Sequence, residues 1–171
     1  MSQAGFETLK ALVIEDNQHM RVLLRSLLTA LGVKYVFEAE DGDSGYAELR
    51  ARRPDFVLTD LTMKPTDGIE FTKRVRLSSD SPNPYIPIIM VTGHTERLRV
   101  LAARDAGVTE FLAKPVTAQH LLLRLAEVVE RPRAFVRCDN YFGPDRRRQR
   151  SESYTGPWRR KEDFQDDIAI A

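Results

Sequence analysis

The chain has 171 residues, a formal net charge of +1 and 42% apolar residues, enough for one ordinary domain with some chain left over. Its near-neutral charge offers no global field for nucleic acid, no apolar run reaches membrane-spanning length, and Met1 to Thr8 lacks the apolar centre of a secretory leader. Cys138 is the sole cysteine, which excludes an intrachain disulfide and a cysteine-based metal site, so a soluble, cytoplasmic protein is expected.

Leu9 to Ile14 reads as a short strand, followed by Glu15-Asp16-Asn17, two carboxylates and a good helix N-cap. Met20, Leu23, Leu24, Leu27, Leu28 and Leu31 then recur on one helical face, and Gly32 closes that helix. Tyr35-Val36-Phe37 is a second strand. A helix from about Asp43 to Arg53 follows and stops at Pro54. Phe56 to Asp60 is a third strand, continuous in apolar residues until one acid, as a strand buried on both faces would be. Pro65, Asp67 and Gly68 break the chain just beyond it. The next helix turns Ile69, Phe71, Thr72 and Val75 inward. Ser78 to Pro84 is loop by composition. Ile86 to Thr92 forms a fourth strand, then a weaker helix, about Thr95 to Asp105, carries Leu98, Leu101 and Ala102. Glu110 to Ala113 is a fifth strand ending in Lys114-Pro115. Thr117 caps a last helix with Leu121, Leu122, Leu125, Val128 and Val129 as its stripe. Five strand–helix units predict a doubly wound parallel sheet covered on both faces, too short for an eight-unit barrel.

The strand ends carry the chemistry. Taken alone, Asp60 is equally a turn-capping residue and a ligand at the crevice outside the strand ends. The other strands decide between these: Glu15 and Asp16 follow the first, Thr92 ends the fourth and Lys114 follows the fifth. A parallel sheet gathers all of them on one edge. Two carboxylates at ~4 Å repel by about 4 kcal/mol at an effective dielectric of 20, so the cluster calls for a cation. A hard divalent ion such as Mg²⁺ fits oxygen ligands of this kind, Lys114 adds a fixed positive charge, and Thr92 offers a hydroxyl. Together they suit phosphoryl transfer, with Asp60 as the nucleophile.

Over roughly residues 8 to 130 this set, in this order, resembles the receiver domain of two-component response regulators. The resemblance implies a flavodoxin-like sheet of order 2-1-3-4-5 with Asp60 as phosphoacceptor. It implies Mg²⁺ held by Asp16 and Asp60, with Glu15 close by or acting through water and the backbone carbonyl of Thr62 as a further ligand. Thr92 and Lys114 would contact the phosphoryl oxygens, and the Lys114-Pro115 peptide would be cis. Phe111 matches the switch aromatic, with no hydroxyl; core packing is the competing reading of that residue. Thr62 and His94 occupy positions that tune phosphoryl lifetime in the family, although a loop His is more often merely solvated. The implied function is acceptance of a phosphoryl group from a histidine kinase or phosphotransfer protein. No external substrate is turned over; the chain would be an enzyme only toward its own Asp60. Output would pass to a protein partner through the fourth helix, fifth strand and fifth helix or through the tail, and phosphorylation-dependent dimerisation is one route. A phosphate sink with no effector is the main alternative. An aspartate-nucleophile phosphatase of the haloacid dehalogenase type wants a second Asp two residues on, where this chain has Thr62.

The domain is expected to span residues 1–130. Residues 131–171 hold ten Lys/Arg and seven Asp/Glu, against sixteen and eighteen in the rest, and read as a basic, largely non-globular extension without a DNA-binding domain. Within it, Tyr141-Phe142-Gly143-Pro144-Asp145-Arg146-Arg147-Arg148 is echoed thirteen positions on by Tyr154-Thr155-Gly156-Pro157-Trp158-Arg159-Arg160-Lys161. Three readings stand: a solvated basic tail, a tail that docks back on the domain, or a phosphate-reading peptide. In the last, Arg forks and the rings of Tyr141, Tyr154 and Trp158 would grip an acidic partner, an RNA strand or a nucleotide such as cyclic di-GMP.

Overall fold

The computed structural model describes residues 5–93, 97–138 and 141–146. Five parallel strands, β1 (Lys10–Ile14), β2 (Tyr35–Ala39), β3 (Phe56–Asp60), β4 (Ile88–Thr92) and β5 (Glu110–Ala113), lie side by side in the order β2-β1-β3-β4-β5. They alternate with α1 (Gln18–Ala30), α2 (Gly42–Arg52), α3 (Gly68–Leu77), α4 (Arg97–Ala106) and α5 (Ala118–Glu130). This is the flavodoxin-like doubly wound sheet that the sequence predicts.

The pleat sorts the apolar runs onto two faces. Ala11 and Val13 of β1 join Leu58, Ile89, Leu112 and the stripes of α1 and α5. Leu12 and Ile14 turn the other way, toward Tyr46, Leu49, Phe71 and Val75 of α2 and α3. Helix starts follow their caps. Asn17 accepts from the Met20 N–H at 3.1 Å, Asp67 accepts from both Ile69 and Glu70, and Thr117 accepts from His120. Gly32, at φ +100°, ends α1 in the left-handed conformation that glycine adopts without strain.

Three expectations are corrected. β4 begins at Ile88 rather than Ile86, because Pro87 has no N–H to pair; its carbonyl still accepts from Val57. The inward stripe of α4 is Ala103 and Ala106, while Leu98 is 83% exposed. The segment after residue 130 is also not unstructured throughout. Residues Phe135–Cys138 (β6) and Tyr141–Pro144 (β7) pair antiparallel, and β7 packs against α3 and α4. Phe142 is buried, meeting Tyr85 edge-on at 5.2 Å and Phe135 in a tilted pair at 5.7 Å. Gly143 lies so close to Gly107 that an added Cβ would stand 2.8 Å from its Cα. Arg133 pairs with buried Glu110 at the start of β5, and Arg146 pairs with Asp105 of α4 at 3.1 Å. The hairpin builds no core of its own and leans on α3, α4 and Tyr85, which is how so short a segment folds. Of the three tail readings, residues 135–146 follow the one in which the chain docks back; residues 147–171 lie outside the described residues.

Arg76 anchors this junction. Its guanidinium donates to the carbonyls of Gly107, Pro84 and Ile86 at 3.0, 2.7 and 2.8 Å. Burial pushes its pKa down to about 10, so it stays charged at neutral pH.

Candidate functional site

Parallel register brings the predicted acids together. Ile14 of β1 lies beside Thr59 of β3, so Glu15 and Asp60, one residue further along each strand, share the same edge. Glu15 and Asp60 are buried and Asp16 is exposed; each offers a carboxylate oxygen, and the three oxygens lie within 4.8 Å of one another. Lys114, one residue beyond β5, reaches back across the edge. Its Nζ is 2.7 Å from Asp60 Oδ1 and 3.5 Å from Glu15 Oε2. The Lys114-Pro115 peptide is cis as expected, and so is Lys64-Pro65.

The two buried carboxylates are each held by a backbone N–H. Asp60 Oδ2 accepts the Thr62 N–H at 3.0 Å, and Glu15 Oε1 accepts the Asn17 N–H at 3.2 Å. Arg21 Nη1 donates to the Glu15 carbonyl at 2.6 Å while pairing with Glu38 and Glu40 of the neighbouring strand region. Gly68 presses against the Asp60 carbonyl. An added Cβ there would stand 2.2 Å from that oxygen, so only glycine lets α3 start so near the site.

The electrostatics show a surplus of negative charge. Burial, and after it the Asp60 charge, raise the pKa of Glu15 even though Lys114 opposes them. Burial disfavours the Lys114 ammonium, yet its bond to Asp60 and the two carboxylate charges outweigh that and raise its pKa. One lysine among three acids leaves room for a further cation. Hard oxygen donors this close suit Mg²⁺, which takes carboxylates and waters in a small octahedron.

The other predicted residues fall into two groups. Thr92 ends β4, buried, with its Oγ1 3.5 Å from the Gly93 carbonyl, and β5 runs beside it so that the Lys114 N–H donates to its carbonyl at 2.8 Å. Phe111 is partly buried against Leu61, Ile69, Met90, Ala103, Ala106 and Val108, between the sheet and α4. His94 lies outside the described residues. In the tail, Tyr141 and Arg146 engage each other and the domain. The guanidinium sits 4.0 Å over the ring centroid, and Tyr141 donates to the Pro144 carbonyl at 2.7 Å. Arg147, Arg148, Tyr154, Trp158, Arg159 and Arg160 lie outside the described residues.

Two arginines near the site were not anticipated. Arg21 follows the acidic pair by one helical turn, a weak signal in the sequence. Arg99 on α4 donates to Thr62 Oγ1 at 3.0 Å and to Asp67 Oδ2 at 2.5 Å. Nothing in the spacing from Asp60 to Arg99 marks that pairing.

A family profile described as the response regulator receiver domain matches residues 11–126. The chain belongs to the response regulator receiver family. It is the receiver domain of a CheY-like two-component response regulator, with the acidic pocket of Glu15, Asp16 and Asp60 at its strand ends. Among relatives, the chemotaxis protein CheY of Pseudomonas aeruginosa is 33% identical over 123 residues, covering 72% of this chain and 98% of its own length. The structure of Vibrio cholerae chemotaxis protein CheY4 aligns with a TM-score of 0.63 at 30% identity, over 70% of this chain and 98% of that one. The receiver domain of sensor histidine kinase PA1611 from Pseudomonas aeruginosa, solved with a magnesium ion coordinated in its active site cleft, shares the fold. Its TM-score is 0.64 at 24% identity, over 71% of this chain and 98% of that one. The receiver match ends at residue 126, so the hairpin lies beyond it. No helix among the described residues is long and apolar enough to cross a membrane.

Proposed function

We propose that this receiver accepts a phosphoryl group on Asp60 from a phosphohistidine of a histidine kinase or phosphotransfer protein. The supporting observation is the Asp60 carboxylate, buried, bonded to Lys114 at 2.7 Å and flanked by Glu15 and Asp16. In the transfer an Asp60 oxygen bonds to phosphorus, the phosphorus–nitrogen bond to the donor imidazole breaks, and the electron pair leaves with that nitrogen. The product is an acyl phosphate. Lys114 is placed to pair with the phosphoryl oxygens, and Thr92 is the candidate hydroxyl donor beside it. Glu15, Asp16, Asp60 and the Thr62 carbonyl would hold Mg²⁺, which supplies charge neutralisation to the transferred group. The chain turns over no external substrate on this reading, and it acts in the cytoplasm. Phe111, packed between the sheet and α4, is the candidate relay from the site to the surface of α4, β5 and α5.

The test is direct. Full-length protein with Mg²⁺ and acetyl phosphate should gain the mass of one phosphoryl group, and Asp60→Ala should gain none. An equal gain in the Asp60→Ala variant would overturn the assignment. Pull-down with and without a phosphoryl mimic separates an effector-binding regulator from a phosphate sink. Cyclic di-GMP calorimetry on the full chain tests the nucleotide reading of the tail.

A further inference from the structure

Arg99 occupies an unusual place. It projects from α4, an element that contributes none of the acids, and reaches the loop between β3 and α3. One arm of its guanidinium donates to Thr62 Oγ1 at 3.0 Å and the other to Asp67 Oδ2 at 2.5 Å. Both partners are already committed to the site or its frame. The Thr62 N–H donates to Asp60 Oδ2. Asp67 Oδ1 caps α3 through Ile69 and Glu70, the two residues after Gly68, which is pressed on the Asp60 carbonyl. The opposite flank of the loop is fastened to α2, where the Gly42 N–H donates to the Thr66 carbonyl at 2.9 Å and Thr66 Oγ1 bonds Asp43 at 2.7 Å. The loop from Leu61 to Asp67 is thus held on one side by α2 and on the other by Arg99.

We propose that Arg99 is a positioning residue for cation binding: its forked bond to Thr62 and Asp67 fixes the backbone at residue 62, and with it the Thr62 carbonyl, toward the acidic pocket. The inference rests on the reading that Mg²⁺ binds there with the Thr62 carbonyl as a ligand. The physical reason is a hold on both sides of the Thr62 carbonyl. The N–H of Thr62 is pinned to Asp60 and its side chain to Arg99, which fixes its Cα frame, while the chain beyond it is fastened at Thr66 by α2 and at Asp67 by Arg99, so the ψ torsion that sets the carbonyl direction has little freedom. A planar guanidinium can bridge two acceptors in one geometry; an ammonium makes point contacts only. Groups that orient a ligand typically cost 10–100-fold in metal affinity when removed. Arg99 is 38% exposed, which places the effect at the lower end of that range.

The experiment uses the full chain with Mn²⁺ as probe, free Mn²⁺ being counted by electron paramagnetic resonance. Arg99→Ala should weaken Mn²⁺ binding by about tenfold, and Arg99→Lys should recover part of it. Thr62→Val, which removes the acceptor hydroxyl and keeps the backbone, should weaken binding in the same direction, and the double variant should be no weaker than Arg99→Ala. Phosphorylation by acetyl phosphate should need more Mg²⁺ for half-saturation in Arg99→Ala and reach the wild-type maximal rate at excess Mg²⁺. A purely structural role would lower the melting temperature without this split. Wild-type Mn²⁺ affinity in both Arg99→Ala and Thr62→Val overturns the proposal. If Arg99→Ala fails to fold, an unaltered affinity in Thr62→Val does so alone. A wild-type chain that binds no Mn²⁺ instead sinks the magnesium reading beneath it, so the two failures are distinct.

Discussion

Glu15 is the residue the fold treats least kindly. It is buried beside another carboxylate, and desolvation raises its pKa. A carboxyl whose pKa is raised on folding holds its proton more tightly in the folded state. Its contribution to stability is therefore complete below the unfolded value of 4.5 and disappears as pH climbs through the raised folded value. At neutral pH the ionised side chain works against folding. Glu15→Gln should raise the melting temperature of metal-free protein at pH 7, and that gain should shrink as pH falls toward 4.5; scanning calorimetry at several pH values checks it. Added Mg²⁺ should stabilise wild type more than the variant. The acids and Lys114 were legible because each sits at the end of a strand and the fold aligns strand ends. Arg21 and Arg99 were not, because which loop a helix face meets is set by packing and leaves no periodic trace.

At the scale of elements, the strands and the stripes of α1, α3 and α5 follow directly from apolar runs and periodicity. α4 does not: its buried positions are Ala103 and Ala106, too small to dominate a hydrophobic pattern in which Leu98 and Leu101 stand out. The β6–β7 hairpin was missed for a related reason. Phe135-Val136-Arg137-Cys138 and Tyr141-Phe142-Gly143-Pro144 are two short runs separated by Asp139-Asn140, a recognisable hairpin spacing, but they lack apolar mass to suggest a core. The aromatic partner, Tyr85, lies in a loop fifty residues earlier in the order of the chain. Phe142→Ala should cost about 3 kcal/mol in urea unfolding. Arg76→Met should cost roughly 3 kcal/mol or more, since it leaves the carbonyls of Gly107, Pro84 and Ile86 buried without their donor. A loss below 1 kcal/mol for both would mean that the hairpin contributes little to the folded state.

For the molecule as a whole, the layered sheet and its active edge were readable from sequence, while the limit of the folded unit was not. Composition shifts near Arg131, but the structure continues through Arg146 by leaning on α3, α4 and Tyr85. A chain ended after residue 130 should melt at a lower temperature than the full chain, yet still gain a phosphoryl group from acetyl phosphate in Mg²⁺. Intact mass and a thermal melt on the same sample test both halves of that statement; loss of phosphoryl uptake with the melting temperature preserved would contradict it. The clasp between Arg146 and Asp105 holds the last described residue against α4. The hairpin therefore closes over the end of the sheet where the strands begin, and the acidic edge of Glu15, Asp16 and Asp60, where they finish, lies away from it.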